Sequence, residues 1–540
     1  MVRPTRPIQV PWAIMPQTTS WWGVAAHKQK APLASRMLRS GQCQWLSTIN
    51  VKDKLSARYL FREAAIINGK DYPSTMHFQV YDPATQAQIG ICPDLTSRQV
   101  DEAIAAAYTA FGSFRRTTPF ERAKLLREWR DLVMESQEDL ATMITLENGK
   151  PIAEAKGEVA YAASFMDWFA GEAPRAYGDV IAPSVEGNRA ITIKQPVGVC
   201  GIITPWNFPA AMITRKVSAA IAAGCTVVIK PDCETPFTAI ALAKLAKIAG
   251  IPDGVVNVIT TKSYLNEVGE KLCTDERIKK VSFTGSTGVG KLLMGQSSST
   301  LKKLSFELGG NAPFIVFPDT PVAEAVTAAV SCKFRGSGQT CVCANRLFVH
   351  ESIYDEFCEL LAEKVSGFKI GNGLEEGVTH GPLIHDRAVD KVQAHVDDAV
   401  KHGGKVLVGG KRATEIGKYF YYPTVIRDAK PRVRIMKEET FGPVAAVFKF
   451  TSEEEVIALA NNVEVGLASY VMTNDINRAF RVAEQLEYGM VGVNTGIISD
   501  CATPFGGVKF SGFGREGSKY GIEEYLNIKS ITFGKVGAPY

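Results

Sequence analysis

Hydrophobic and polar positions follow a helical period over the first third of the chain after residue 66. Within residues 100 to 114 the apolar positions recur at spacings of three and four: Val100, Ala103, Ile104, Ala107, Tyr108 and Phe111. A second helix is predicted from about Glu121. A third ends near Asn148 and Gly149, which together with Pro151 supply stop signals.

Short apolar runs alternate with further helices between residues 198 and 295. GVCGIITPWNFP is an apolar run closed by two prolines, and CTVVIKP, GVVNVIT and KKVSFTGS predict strands. RKVSAAIAAG, ending at Gly224, FTAIALAKLAKIAG and TGVGKLLMG predict the helices between them. This alternation predicts an α/β fold with a parallel sheet covered by helices on both faces, the doubly wound architecture of nucleotide-binding domains.

A second block of strands begins at about Gly309. The runs APFIVF, RLFVH, KVLVGG and GMVGVN predict strands separated by long amphipathic helices. We therefore expect a second α/β domain after residue 309.

Composition restricts the classes of protein to which the chain can belong. It has 540 residues, 46% hydrophobic and 22% charged, which suits two or three globular domains. No run of about 18 apolar residues is present, so we expect no membrane span. Eleven cysteines without a spacing framework indicate free thiols in a reducing compartment.

Positive charge is concentrated at the N-terminus. Residues 1–52 contain no Asp or Glu and seven basic residues: Arg3, Arg6, Lys28, Lys30, Arg36, Arg39 and Lys52. The net charge of +5, less these seven, leaves −2 for the remainder, which offers no basic footprint for nucleic acid. An acid-free leader rich in Arg and Ser/Thr is typical of a mitochondrial transit peptide. The alternative is an extension that targets nothing, with the protein in the cytoplasm.

Two cysteines in GQTCVC, Cys341 and Cys343, stand one residue apart. They could be metal ligands, a disulfide, a buried apolar pair, or a nucleophile with its neighbour. Zinc is disfavoured because no second Cys or His pair is near and His350 is isolated. A cysteine nucleophile needs an oxyanion donor and, for an acyl intermediate, a base for water. Asn207 in TPWNFP and Glu307 in FELGGN, whose glycines let other backbone approach, could supply them.

A glycine-rich turn suggests a phosphate site. SFTGSTGVGK places Gly285, Ser286, Gly288 and Gly290 where a strand becomes a helix, so that backbone N–H groups can face a phosphate. The alternative is a plain strand-to-helix turn. Lys230 ends the strand of CTVVIKP at the edge where open α/β sheets bind ligands. It could bond a ribose or form the solvated end of a strand.

Seven motifs together resemble the aldehyde dehydrogenase superfamily, in order and in spacing. They are TPWNFP, KP…TP, FTGSTGVGK, FELGGN, GQTCVCANR, EETFGP and PFGGVKFSGFGREGSKYG. The match runs from about residue 66 to the C-terminus, and within the superfamily the chain looks most like the succinate-semialdehyde dehydrogenases. The resemblance implies a leader over residues 1–55, then a Rossmann-type cofactor-binding domain over 56–309 with an oligomerisation hairpin near 175–197. A catalytic domain over 310–510 and a C-terminal oligomerisation segment over 511–540 complete a homodimer or homotetramer.

The resemblance also implies a reaction. Cys341 as thiolate attacks the aldehyde carbon, while the Asn207 amide and the Cys341 N–H hold the oxyanion. After hydride passes to the nicotinamide, Glu307 deprotonates the water that hydrolyses the thioester, and its pKa in an apolar tunnel should lie nearer neutrality than usual. The expected activity is NAD(P)-dependent oxidation of succinate semialdehyde to succinate, as in GABA degradation. Glutarate semialdehyde or an aliphatic aldehyde is the alternative substrate.

Cofactor residues follow from the same resemblance. The adenosine and phosphates are expected against Trp206, Lys230, Gly285, Ser286 and Gly290, and the nicotinamide ribose and ring against Glu439 and Phe441. Relatives strict for NAD commonly carry Glu three residues after the lysine, where this chain has Cys233. The loss of that carboxylate removes repulsion against a 2′-phosphate, which favours NADP or tolerance of both cofactors, although Asp232 and Glu234 flank the position.

Three further residues match the substrate-carboxylate site of succinate-semialdehyde dehydrogenases: Arg215, Arg335 and Ser499. A guanidinium suits bidentate capture of a carboxylate. Asp500 beside Ser499 would repel the substrate if it pointed inward. Cys343 is the expected redox partner of Cys341, since in an extended segment residues i and i+2 face the same side.

Two other classes of protein agree less well with the sequence than an aldehyde dehydrogenase does. A catalytically silent relative could lose any of Cys341, Glu307 and Asn207, yet all three are present. A cofactor-free cysteine hydrolase would normally use a His base, and none of the seven histidines lies in a motif.

Overall fold

The structure, a computed structural model, describes residues 48–536. Residues 1–47 of the predicted leader and the last four residues lie outside this range. The helices are α1 (Ser97–Phe114), α2 (Pro119–Glu135), α3 (Gln137–Asn148), α4 (Ile152–Glu172), α5 (Ala211–Ala223), α6 (Pro236–Ile248), α7 (Leu265–Thr274), α8 (Thr287–Ser297), α9 (Val322–Lys333), α10 (Tyr354–Ser366), α11 (Asp386–Lys401), α12 (Glu453–Asn461), α13 (Ile476–Gln485) and α14 (Ser518–Glu523).

The strands form two large sheets and three small ones. They are β1 (Ala65–Ile67), β2 (Lys70–Tyr72), β3 (His77–Tyr81), β4 (Gln88–Pro93), β5 (Val180–Ile181), β6 (Arg189–Pro196), β7 (Val199–Ile203), β8 (Thr226–Lys230), β9 (Val256–Val258), β10 (Ile278–Thr284), β11 (Lys303–Glu307), β12 (Ala312–Val316), β13 (Ala344–His350), β14 (Lys405–Val408), β15 (Thr424–Arg427), β16 (Val444–Phe450), β17 (Val465–Gly466), β18 (Ala468–Met472), β19 (Met490–Val493), β20 (Val508–Lys509), β21 (Gly512–Phe513) and β22 (Leu526–Phe533).

The first large sheet has the strand order β2-β1-β9-β8-β7-β10-β11-β21. Its centre, from β9 to β11, is parallel as predicted, and β8 is buried along its whole length. The chain winds outward from β7 in both directions, so the topological switch point lies between β7 and β10, where open α/β sheets bind ligands. At its far edge, β21 pairs antiparallel with β11, so part of the predicted C-terminal segment 511–540 joins this sheet.

The second large sheet has the order β14-β15-β16-β13-β12-β18-β19 and is parallel except for β14. The predicted strands APFIVF, RLFVH, KVLVGG and GMVGVN correspond to β12, β13, β14 and β19. The α/β fold class is therefore confirmed for both blocks.

Most of the predicted helix faces are buried. In α1, Val100, Ala103, Ile104 and Ala107 are buried, whereas Tyr108, which belongs to the same spacing pattern, is 56% exposed. Tyr108 lies about 80° around the helix axis from Val100, on the flank of the apolar stripe. Helix α5 ends as predicted at Gly224, which has a φ of 93°.

A small antiparallel sheet stands apart from the two large ones. It has the order β22-β6-β5, and β22 pairs with all eight residues of β6, from Leu526 opposite Pro196 to Phe533 opposite Arg189. It exposes large apolar side chains: Val180, Ile181, Ile528 and Phe533.

Candidate active site

Both large sheets contribute to one site. Glu307 is the last residue of β11 in the first sheet, and Asn207 follows β7 of the same sheet. Cys341 precedes β13 of the second sheet. The structure brings the three together, because Asn207, Glu307 and Cys341 line one cavity of about 390 Å³.

Cys341 lies in a tight turn. The Cys343 N–H donates a 3.0 Å hydrogen bond to the Thr340 carbonyl, so residues 340–343 turn back and are not extended as the sequence argument for Cys343 assumed. The approach of the FELGGN loop depends on glycine, since a Cβ on Gly310 would lie 2.7 Å from the Cys341 carbonyl oxygen. Burial, then the nearby carboxyls of Glu307 and Glu439, raise the pKa of the Cys341 thiol well above its ordinary value.

Asn207 is held at both ends. Its Nδ2 donates a 3.0 Å hydrogen bond to the Gln339 carbonyl, two residues before Cys341, and its own carbonyl accepts a 2.8 Å hydrogen bond from Lys150 Nζ. Lys150 is buried and paired with Glu158. An amide nitrogen carries two hydrogens, so the second remains to face an oxyanion beside Cys341. Sequence reasoning missed Lys150 and Glu158, which belong to α3–α4 and no quoted motif.

Glu307 is a buried carboxyl group. It is 3% exposed, and neither of its oxygens has a hydrogen-bond partner among residues 48–536. Burial and the carboxylate of Glu516 raise its pKa to about 7, against the opposing influence of Lys216 and Arg215. A base with this pKa is half ionised near neutrality, as expected for general-base catalysis.

Lys216 and Glu516 form an ion pair behind Glu307. Lys216 is fully buried, bonds Glu516, and donates a 2.5 Å hydrogen bond to Thr284 Oγ1. Neither residue was assigned a role from the sequence, although Glu516 lies in the quoted motif GREGSKYG. The pair places a second carboxylate close enough to raise the pKa of Glu307.

The predicted substrate residues converge next to this centre. Arg215 is 2% exposed, donates a 2.8 Å hydrogen bond from Nη2 to the Tyr161 hydroxyl, and pairs through Nε with Glu516 at 3.4 Å. Arg335 and Ser499 both lie close enough to Tyr161 to lower its pKa, which burial otherwise raises. Tyr161 thus lies near all three predicted residues, although it belongs to none of the quoted motifs.

Arg335 is the free cation of this group. Its guanidinium lies 5.4 Å from the centre of the Phe208 ring, and within residues 48–536 it makes no hydrogen bond or salt bridge. Asp500 is exposed, and its Oδ1 accepts a 2.7 Å hydrogen bond from the Ala502 N–H. That carboxylate caps its own turn instead of opposing the substrate.

A second cavity, of about 370 Å³, adjoins the first at the switch point. Both cavities share Trp206, Gly285 and Ser286, and the second is also lined by Lys230. Ser286 caps α8, whose N-terminus therefore faces the junction. Gly290 has a packing role as well, because a Cβ there would lie 2.6 Å from Leu308. The two joined cavities fit an extended dinucleotide.

The first cavity also contains the two other predicted cofactor residues. Glu439 and Phe441 line it, and the Phe441 ring packs edge-on against Trp206 with centroids 5.7 Å apart. Glu439 Oε1 accepts a 3.2 Å hydrogen bond from the Gly310 N–H, and burial raises the pKa of Glu439 to about 7.

The charges around Cys233 are mixed in sign, with Asp232 and Glu234 acting against Lys230 and Lys262. Asp232 Oδ1 accepts a hydrogen bond from the Glu234 N–H, and Glu234 pairs with Lys262 at 3.9 Å. Burial is the main cause that raises the Cys233 pKa to about 12, so this thiol stays neutral. The backbone N–H of Lys262, a residue that no sequence motif indicated, donates a hydrogen bond to Asp94 Oδ1.

Residues 48–536 contain neither a candidate metal site nor a membrane-spanning helix. No group of three or more His, Cys, Asp or Glu side chains there is arranged to hold a metal ion. No helix in that range is both long and apolar enough to cross a membrane.

Comparison with known proteins agrees with these features. Residues 71–531 match the model of the aldehyde dehydrogenase family. A succinate-semialdehyde dehydrogenase [NADP(+)] of Schizosaccharomyces pombe is 59% identical over 90% of this chain and 98% of its own length. A glutarate-semialdehyde dehydrogenase of Pseudomonas putida is 53% identical over 88% and 99%. A mitochondrial succinate-semialdehyde dehydrogenase of Arabidopsis thaliana is 50% identical over 93% and 95%.

Solved structures show the same fold. The crystal structure of a succinate-semialdehyde dehydrogenase from Burkholderia pseudomallei superposes with a TM-score of 0.88 at 50% identity, covering 89% of this chain and 99% of that one. The family match, the sequence identity and the fold confirm the resemblance that the motifs indicated. The chain belongs to the aldehyde dehydrogenase family.

Proposed function

We propose that the protein oxidises succinate semialdehyde to succinate with NADP or NAD. The observation that carries this substrate is the pair of guanidinium groups, Arg215 and Arg335, gathered around Tyr161 beside the catalytic cavity. Relatives named succinate-semialdehyde dehydrogenase support it. An uncharged aldehyde would leave the Arg335 guanidinium without a partner among the described residues, which costs binding free energy.

The carboxylate at one end of the substrate fixes the aldehyde at the other. Arg335 supplies a free guanidinium, and the Tyr161 and Ser499 hydroxyls supply further donors. The Cys341 thiol is then positioned to attack the aldehyde carbon, forming a thiohemiacetal whose oxyanion faces the Asn207 amide. Because burial raises the Cys341 pKa, the thiol must release its proton to solvent in the cavity as the sulfur attacks, and Glu307 is kept for the later hydrolysis.

Hydrolysis of the acyl enzyme depends on Glu307. A bound NADP or NAD supplies the hydride acceptor that converts the thiohemiacetal into a thioester. Glu307 as carboxylate then takes a proton from water, which attacks the thioester and releases succinate from Cys341. The ion pair of Lys216 and Glu516 lies behind Glu307 and influences how readily it gains and loses that proton.

NADP is accommodated at the edge of the second cavity. Lys230 and Lys262 are both close enough to Cys233 to lower its pKa, so two cations surround the place where a 2′-phosphate would lie. Asp232 and Glu234 also lie near Cys233 and raise its pKa, so the two lysines must outweigh the repulsion of these carboxylates when a 2′-phosphate binds. The relative from S. pombe is named for NADP, which supports this preference.

A substrate panel tests the proposal. Succinate semialdehyde, glutarate semialdehyde and butyraldehyde are oxidised with each cofactor, and reduction is followed by absorbance near 340 nm. We expect the highest kcat/KM for succinate semialdehyde with NADP. Glutarate semialdehyde is the second candidate, because a relative with that name is 53% identical to this chain, against 59% for the relative from S. pombe. A preference for butyraldehyde would refute the carboxylate site.

A homo-oligomer, dimer or tetramer, is part of the proposal. The β22-β6-β5 sheet exposes Val180, Ile181, Ile528 and Phe533, and β19 leaves an open edge on the second large sheet. A second copy of the chain could cover both surfaces. Sedimentation should show an oligomer that Ile528→Asp and Val180→Asp weaken.

We also place the protein in the mitochondrial matrix, on the acid-free composition of residues 1–52 and the mitochondrial relative. A fluorescent fusion of residues 1–55 should enter mitochondria. A fusion that remains in the cytosol would support the cytoplasmic alternative.

A further inference from the structure

One buried histidine joins the residues on both sides of Glu439. His395 lies on α11 and is fully buried. Its Nδ1 is 3.0 Å from Thr440 Oγ1, and its Nε2 is 3.2 Å from Glu438 Oε2. The carboxyl group between these two anchored residues lines the catalytic cavity.

The proton positions on this histidine follow from its partners. Burial lowers the pKa of His395, so the imidazole is neutral at neutral pH and carries one N–H. The Arg434 guanidinium holds the pKa of Glu438 below its usual range, so Glu438 is an acceptor only. Nε2 therefore donates to Glu438, and Nδ1 accepts from the Thr440 hydroxyl. The His395 imidazole thus forms hydrogen bonds with the side chains of both neighbours of Glu439.

A second side chain, that of Asn345, forms hydrogen bonds with the backbone of the same loop. Asn345 Nδ2 donates a 2.9 Å hydrogen bond to the Glu438 carbonyl, and Asn345 Oδ1 accepts a 3.2 Å hydrogen bond from the Thr440 N–H. Asn345 is four residues after Cys341 and lies on β13. The imidazole bonds thus connect the loop around Glu439 to α11, and the Asn345 bonds connect it to the segment that carries the nucleophile.

We propose that His395 is a positioning residue that fixes the Glu439 carboxylate for the nicotinamide ribose at a set distance from Cys341. The proposal rests on the assignment of Glu439 to that ribose. Asn345 and the Arg434 carbonyl, which accepts a 2.8 Å hydrogen bond from the Glu438 N–H, restrain the main chain, and the Gly310 N–H bonds the Glu439 carboxylate. The orientation of the loop toward α11 depends on the two imidazole bonds. Without them Glu439 should sample several positions, and the nicotinamide end of the cofactor should lose its anchor while the adenosine end keeps its own.

Binding measurements separate this role from a general loss of structure. NADP and 2′,5′-ADP, which lacks the nicotinamide ribose, are titrated by calorimetry into the full-length enzyme and into His395→Phe, His395→Asn and His395→Gln. We expect His395→Phe and His395→Asn to weaken NADP about tenfold and 2′,5′-ADP less than twofold. His395→Gln, whose amide can donate to Glu438 and accept from Thr440, should stay within about threefold of wild type.

Three controls complete the experiment. Glu439→Gln should weaken NADP binding as His395→Asn does. Asn345→Ala combined with His395→Asn should weaken NADP binding further. His380→Gln, at a buried histidine stacked on Phe368, should change neither affinity.

Opposite results would overturn the proposal. Equal weakening of NADP and 2′,5′-ADP would make His395 a purely structural residue, and unchanged NADP binding in His395→Asn would remove its role altogether. If Glu439→Gln binds NADP like wild type, the assignment of Glu439 to the ribose is wrong. Because no aldehyde is present, none of these results depends on the proposed substrate.

Discussion

Arg215 donates a 2.8 Å hydrogen bond from Nη2 to the hydroxyl of Tyr161, and Arg335 lies near the same hydroxyl without a partner among the described residues. A substrate carboxylate can therefore meet one anchored and one free guanidinium. Arg335→Ala should raise the KM for succinate semialdehyde by one to two orders of magnitude, the loss of a charge-assisted bond of about 1.5–3 kcal/mol. Steady-state kinetics with butyraldehyde should hardly change.

The matched control for Arg335 is Arg130→Ala, which removes a guanidinium paired with Asp167 on α4. It should alter neither KM. Arg215→Ala should resemble Arg335→Ala, with an added loss of stability because Glu516 would keep a buried charge with one partner fewer. Variants of both arginines that treat the two aldehydes as wild type does would contradict the succinate-semialdehyde assignment.

Cys341 and Glu307 should separate the two halves of the reaction. Cys341→Ala should abolish aldehyde oxidation. Glu307→Gln should retain a single burst of reduced cofactor while steady turnover falls by about 10²–10⁴-fold, the usual contribution of a general base. Rapid-mixing absorbance at 340 nm measures both phases. Cys332→Ala, at another buried thiol, is the control that should keep full turnover, and activity in Cys341→Ala would end the thioester mechanism.

The rate of thioester hydrolysis should rise with pH through about 7. Burial raises the Glu307 pKa to about 7, and only the carboxylate accepts the proton of water. Between pH 6 and pH 8 the ionised fraction grows about tenfold and then levels off, so the hydrolysis rate should do the same. Single-turnover release of succinate at each pH checks this. A flat profile across that range would assign the base to another group.

Cofactor choice should respond to charge next to Lys230. Cys233→Glu should weaken NADP far more than NAD, because a carboxylate opposite the 2′-phosphate repels it. Cys233→Ser is the neutral control and should change neither affinity. Lys262→Gln should weaken 2′,5′-ADP several-fold with little effect on ADP, both measured by calorimetry. Equal effects of Cys233→Glu on the two cofactors would show that position 233 does not set the preference.

Peroxide should inactivate the enzyme reversibly if Cys343 resolves a sulfenic acid on Cys341. Thiol reductant should then restore activity in wild type and fail to do so in Cys343→Ala. The turn at residues 340–343 replaces the extended geometry expected from sequence, so the two sulfurs must meet through rotation within that turn. Cys358→Ala, at a buried thiol on α10, should recover like wild type, and identical recovery in Cys343→Ala would exclude the disulfide.

The parts that could be predicted from sequence were those with local signals. The buried strand before Lys230 and the glycine that ends α5 are determined by neighbouring residues, and both are confirmed. The spacing of FELGGN and GQTCVC led to Glu307 and Cys341, which the structure places in one cavity. Gly310 approaches the Cys341 carbonyl as the two glycines suggested.

The parts that could not be predicted depend on residues far apart in the chain. Lys216 and Glu516 are 300 residues apart, and Tyr161 precedes Arg215 by 54. Their side chains meet only after α4, α5 and the C-terminal region have packed, and no local pattern marks a buried charge that has a distant partner. The exposure of Tyr108 illustrates a related point, since the spacing of apolar residues gives the position of the buried face of a helix but not its width.

Because the nucleophile and the base belong to different sheets, catalysis depends on how the two sheets are aligned. Glu307 ends a strand of the first large sheet, and Cys341 precedes a strand of the second. A relative slip of about 1 Å between the sheets would leave each core intact and yet cost roughly a hundredfold in rate. Mutations at the contact between the two sheets can therefore inactivate the enzyme without unfolding it, and a small molecule wedged there would act as an inhibitor remote from both ligands.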